Sequence, residues 1–213
     1  MPAYSLNSAA LFGVARTAGD GARDSPADSV VAIVFAVAAV ESFVNEVLER
    51  FRFDVLWTSP ELQRVRVIAE AGGLYEKNSS MALKVQLLSA ALTGAPMDRG
   101  AQPYLDFDLL VAVRNTLVHH HPELLPETGG EPGERQQLLR RLVARGLVPS
   151  MVSEDTVRTT FGEIAQHTVA EWALETALRM VRAVAEFLPP PVAASALLGY
   201  RSEERRVGKE CRL

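Results

Sequence analysis

The stretch RNTLVHHHPE, residues 114–123, gathers an arginine, an asparagine and three of the chain's four histidines at the end of an apolar run. A guanidinium can grip a carboxylate or a phosphate through several N–H groups at once, and a histidine imidazole exchanges protons close to neutrality. Read as one continuous helix, Phe107, Leu110, Val111, Arg114, Leu117, Val118 and His121 fall on a single stripe at helical spacing. Arg114 therefore interrupts an otherwise apolar face. A lone charge there is costly to desolvate, so it needs a carboxylate, a partner subunit or a phosphate ligand beside it. Asn115 and His119 are i,i+4 neighbours on the adjoining face. Arg114 and His119 lie about 140° apart around an ideal helix, so they converge on one ligand only if the last turn distorts, the arginine swings across, or a second chain supplies half the site. His119, His120 and His121 do not read as a metal site, because consecutive helical residues point about 100° apart.

A second polar pair sits upstream, in VFAVAAVESFVNEVL. Glu41 and Asn45 occupy i,i+4 positions on the face of Val37, Val44 and Leu48. A carboxylate in that setting seeks a donor, and Arg114 or Asn115 is the natural candidate.

The elements that must position these residues read as helices throughout. Residues 1–27 are small and polar with weak periodicity, an N-terminal arm with some helical character. SPADS offers Asp28 and Ser29 as N-caps for a long helix to about residue 53. Its apolar run, Val30 to Val40, is shorter than the ~20 residues a membrane span needs and reads as a buried helix segment. A second helix starts near Glu61 and stops at Gly72-Gly73. A third is capped by Ser79 or Ser80 and ends at Gly94. The fourth begins near Pro103 and carries the motif to Pro122. HPELLPETGGEPGE is a loop by its prolines and glycines. A fifth helix covers roughly 135–145. A sixth starts at about residue 157 or 168 and runs to 187, with Val169, Trp172, Thr176, Met180, Val184 and Phe187 on one stripe and Glu175–Arg179 and Arg182–Glu186 as i,i+4 charge pairs. No stretch alternates as a strand does. The expectation is an all-α, up-and-down bundle of about five to six helices.

Composition bounds the partners. The 213 residues are 48% hydrophobic and 23% charged, a globular balance in a chain long enough for a real core. The start shows no signal-peptide pattern, which predicts a cytoplasmic protein without a membrane partner. Residues 201–213, RSEERRVGKECRL, read as a translated sequencing-library adapter, so Cys211, the single cysteine, is not expected to be native and 190–200 is the natural C-terminal segment. The tail carries five basic and three acidic residues, so without it the formal net charge moves from -4 to -6. An acidic body holds nucleic acid only through a local patch, since affinity for phosphate comes from Lys and Arg. Arg135, Arg140, Arg141 and Arg145 are one such basic face, or simply a solvated one.

RNTLVH, 114–119, is similar to the Arg-polar-x-x-x-His signature of the HEPN superfamily (higher eukaryotes and prokaryotes nucleotide-binding), all-α proteins that include RNA-cleaving toxins and defence nucleases. The Glu-x-x-x-Asn helix, the LTG turn, PYLDFDLLVAVRN and the late AEWA helix resemble an uncharacterised bacterial branch of it, over residues 28–189. The resemblance implies a homodimeric, metal-independent endoribonuclease that needs no cofactor, a toxin or phage-defence effector with an RNA substrate and an antitoxin or nucleotidyltransferase partner. It implies catalytic Arg114, Asn115 and His119, with Glu41, Asn45 and His121 in support. Some such toxins carry a tyrosine where this chain has His121, which removes that residue as a target of nucleotide modification. The alternative is a non-catalytic HEPN-like module that binds a partner protein or RNA. There, Arg114 is structural and His119 merely suits a helix C-terminus.

Overall fold

A computed structural model of the chain describes residues 7–53, 60–75, 80–119, 134–149, 160–190, 192–194, 196–197 and 200, and among them every regular element is helical. The order is α1 (Asn7–Gly21), α2 (Pro26–Phe53), α3 (Pro60–Ala71), α4 (Met81–Thr93), α5 (Tyr104–Val118), α6 (Glu134–Val143), α7 (Thr160–Ile164) and α8 (His167–Phe187). The all-α expectation holds.

Helix α2 is the axis of the bundle, touching α1, α3, α4, α5 and α8. Its 28 residues make it long and apolar enough to cross a bilayer by length and composition alone. In the fold its apolar residues are spent on neighbouring helices: Ile33, Ala36, Val37, Val40, Val44 and Leu48 are buried in the main core. The helix starts earlier than the sequence suggests. Pro26 takes the first helical position, where its missing N–H and preset φ are no handicap. Ser25 is the cap, its Oγ accepting from the Asp28 N–H at 3.3 Å. Asp28 and Ser29, expected as caps, lie inside the first turn instead.

The segment expected as an arm is α1, packed along α2 and α8 with Phe12 and Ala15 in the core. Its N-terminal turn is pinned by Glu46 of α2, whose carboxylate accepts from the Ser8 amide (2.8 Å), the Ser8 hydroxyl (2.7 Å) and the Ser42 hydroxyl (3.1 Å). A carboxylate there satisfies an amide that has no partner within its own helix. Weak periodicity hid this helix because its buried face is built largely from small residues.

Other boundaries follow the local signals. Ser80 caps α4 by accepting from the Leu83 N–H, and Gly94 closes it in left-handed geometry at φ 85°, its amide returning to Ala90. Gly73, at φ 61°, follows α3 in the same way. Beyond Leu188 and Pro189 the chain is again helical where described, and Val192, Ala196 and Tyr200 are buried at i,i+4 spacing. The Tyr200 ring meets Phe12 and Phe43 with centroids 5.6 and 5.9 Å away, so the expected C-terminal segment belongs to the core.

Candidate functional site

Helix α5 ends with the motif's apolar part. Val118 is its last helical residue, and His119 leaves helical geometry at φ −112°, ψ 63° while its amide still bonds to the Asn115 carbonyl at 2.8 Å. The helix expected to reach Pro122 therefore stops about a turn short. His120 and His121 lie outside the described residues. The buried face of α5 is also rotated from the expected stripe: Asp106, Phe107, Leu109, Leu110 and Val113 are buried, whereas Val111 and Leu117 are half-buried and Val118 is 50% exposed. Arg114 sits at the edge of the core rather than in the middle of an apolar face.

That edge is where α2 meets it. Arg114 Nη2 donates to Glu41 Oε1, with the arginine side chain 21% exposed and the glutamate 37%. The expected carboxylate–guanidinium pairing of α2 and α5 is thus made. Asn45, one turn further along α2, is exposed and pairs elsewhere: its Oδ1 accepts from Lys84 Nζ of α4 at 2.8 Å. Lys84 is only 7% exposed, and burial pushes its ammonium down from the ordinary 10.5, opposed by the nearby carboxylates of Glu41 and Glu49. Glu41, Asn45, Lys84 and Arg114 form one polar centre where three helices meet.

Asn115 and His119 are exposed at the end of α5, and among the described residues neither side chain makes a hydrogen bond or ion pair. The structure brings Glu41 to Arg114 but makes no bond between Arg114 and His119. Their convergence rests on the unwound last turn or on a second copy.

Sequence reasoning missed two polar residues. Lys84 shares a helical stripe with Met81, Val85 and Leu88, the same pattern of a cation on an apolar face that singled out Arg114. Asp106 shares one with Leu109, Leu110 and Val113. It accepts from Arg145 Nε at 3.0 Å and Arg179 Nη2 at 3.4 Å, its side chain 10% exposed. Arg179 therefore turns inward to Asp106 and to Thr176 rather than out to the expected Glu175. Of the basic residues expected there, Arg145, just past α6, goes to Asp106, Arg141 reaches Asp108 at 3.7 Å and Arg140 is exposed, while the Arg135 side chain lies outside the described residues. His167 gains partners in Arg23 and Glu171, at 3.0 and 2.9 Å. A shallow groove between α1 and α2, lined in part by Gly13, Val14, Thr17 and Val31, shares no residue with this centre.

Comparison with protein-family models, with curated proteins and with solved structures finds no match to the chain.

Proposed function

We propose that the chain is a metal-independent endoribonuclease of the HEPN kind, an up-and-down bundle that works as a cytoplasmic homodimer in a toxin or defence setting. The observation that carries the reading is Arg114, held by Glu41 yet still open on one side, next to exposed Asn115 and five residues before exposed His119 at the helix end. In the reaction the ribose 2′-oxygen forms a bond to the adjacent phosphorus while the bond from phosphorus to the 5′-oxygen breaks, leaving a cyclic phosphate and a 5′-hydroxyl. The 2′-hydroxyl loses its proton and the leaving oxygen gains one. His119 moves these protons, Arg114 neutralises charge on the phosphorane and Asn115 orients the phosphate or the imidazole. Glu41 fixes the guanidinium, and Asn45 supports the same centre from the next turn of α2. A second motif across a dimer cleft removes the angular conflict between Arg114 and His119. Half-exposed Val118, beside half-buried Leu117, supplies apolar surface for that contact. An antitoxin or nucleotidyltransferase is the expected regulator.

The Glu41–Arg114 ion pair also favours a second reading, because it satisfies the arginine without any ligand. On that reading the chain is a non-catalytic helical module for a partner protein or RNA.

Purified protein incubated with RNA in EDTA separates the two. The nuclease reading expects cleavage by the wild type and its loss in His119→Ala and Arg114→Ala. Equal cleavage by all three, or none by the wild type, removes it.

A further inference from the structure

Lys84 is a buried cation whose direct partner is neutral. Its stem lies on the apolar face of α4 beside Val85 and Leu88, and its Nζ reaches the exposed Asn45, bonding Oδ1 at 2.8 Å. An ammonium has three donors, and this bond occupies one. Among the described residues no carboxylate comes within ion-pair distance of it, and the two that favour its charge, Glu41 and Glu49, are already engaged with Arg114 and Arg52. The centre therefore sets three cations, Lys84, Arg114 and Arg52, against two carboxylates of α2, Glu41 and Glu49. It carries a positive surplus in a chain whose formal net charge is -4. Buried cations are ordinarily matched by a carboxylate, so the missing negative charge is the feature to explain.

We infer that Lys84 and Arg114 are the two cations of a single anion site, and that its ligand is a phosphodiester oxygen of an RNA strand. Asn45 aims the ammonium, and Glu41 keeps the guanidinium in place without cancelling both charges. The assignment rests on the ribonuclease reading above and extends it, making Lys84 a substrate-binding residue on a helix outside the motif. A merely structural lysine, tying α4 to α2 through Asn45, would leave RNA affinity and its salt dependence untouched.

The test uses the full chain and a 2′-O-methyl RNA oligonucleotide, which binds but cannot be cleaved because the attacking oxygen is blocked. Affinity is measured against salt concentration for the wild type, Lys84→Met and Lys84→Arg, with melting temperatures recorded alongside. Lys84→Met keeps the apolar stem and is expected to bind about tenfold more weakly, one charged contact being lost. The slope of log affinity on log salt becomes shallower by about 0.7, the value for one single-strand phosphate contact, with the melting temperature held. Lys84→Arg is expected to restore most of both. Wild-type affinity and slope in Lys84→Met would overturn the assignment, as would an arginine variant that folds yet recovers neither. Should Lys84→Met fail to fold, Asn45→Ala, at an exposed position, is expected to weaken binding with a shallower slope; an unchanged slope there overturns the proposal equally. A parallel cleavage assay separates the two levels. Cleavage by the wild type with no binding change in Lys84→Met removes Lys84 alone, whereas a wild type that neither cleaves nor binds RNA removes the nuclease reading and this site with it.

Discussion

Helix α5 carries a charged centre at each end, and the two are built on opposite terms. Near its start, the buried charge is an anion: Asp106, clasped by Arg145 and by Arg179 of α8. Towards its end, the most deeply buried charge is a cation, Lys84, which faces a neutral asparagine while Arg114 pairs with a half-exposed carboxylate. The first centre is closed, because the carboxylate is 10% exposed and two cations from separate elements complete it. Such a cluster ties helices together and has little left for a ligand. The second is open at its carboxylate, Glu41 being 37% exposed, and beside it lie an asparagine and a histidine with no partner among the described residues. Charge saturated by the fold is structural charge, whereas on the proposed reading a surplus left beside an exposed helix end serves a substrate.

The contrast can be broken most sharply at the open end. His119→Ala is expected to lower RNA cleavage by about 10²- to 10⁴-fold, the usual weight of a general acid–base group, with an unchanged melting curve. A similar loss of activity together with unfolding would instead make His119 part of the scaffold. At the closed end the sign reverses. Asp106→Ala removes the buried acceptor of two partly exposed arginines, and denaturant unfolding should show a loss of about 1–3 kcal/mol. Glu41→Ala breaks an ion pair that water already screens, so its cost should stay near 1 kcal/mol while cleavage falls. Equal stability losses at the two carboxylates would erase the distinction.

Tyr200 tests the same rule with a group that becomes charged only at high pH. Its hydroxyl is buried without a hydrogen-bond partner among the described residues, and burial pushes it up to about 12. The Ser8 hydroxyl, already donated to Glu46, opposes the rise, and Glu46 adds to it. The folded value lies above the unfolded 10.0, so this contribution to stability is intact below pH 10 and is lost as pH climbs from 10 towards 12, where only the unfolded chain gives up the proton. Tyr200→Phe should flatten that decline by on the order of 2–3 kcal/mol in alkaline unfolding experiments, leaving the part due to Tyr75, which burial also raises. The smallest effect on stability is expected from Val118→Lys, within about 0.5 kcal/mol at this half-exposed position. On the proposed dimeric nuclease, sedimentation should nonetheless show weaker self-association and a matching fall in cleavage. A dimer unaffected by this change would place the interface elsewhere.

Much of this was legible along the chain because helix signals are local. Ser80 and Gly94 bound α4 where their side chain and backbone preferences put them, and Gly72-Gly73 ended α3 for the same reason. Arg114 on an apolar stripe called for a carboxylate, and Glu41 was the right one. Other features were not legible. The arm proved to be α1, because its burial depends on Glu46 and Tyr200, residues far along the chain. Arg179 has Glu175 within reach on its own helix and turns instead to Asp106, since a buried carboxylate gains more from a second cation than an exposed one does from a first.

Local residue pattern was enough to make the chain helical, to place where most helices begin and end, and to require an anion for a guanidinium near an imidazole. Spacing along a helix decides which residues share a face, a matter of about 100° per residue. Tertiary structure alone decided which faces meet. It put Lys84 of α4 beside Asn45, turned α5 so that Asp106 faces inward and Val118 outward, and left positive charge in excess at one end of that helix, because pairing between distant helices is set by packing around α2 and by no pattern within any single element.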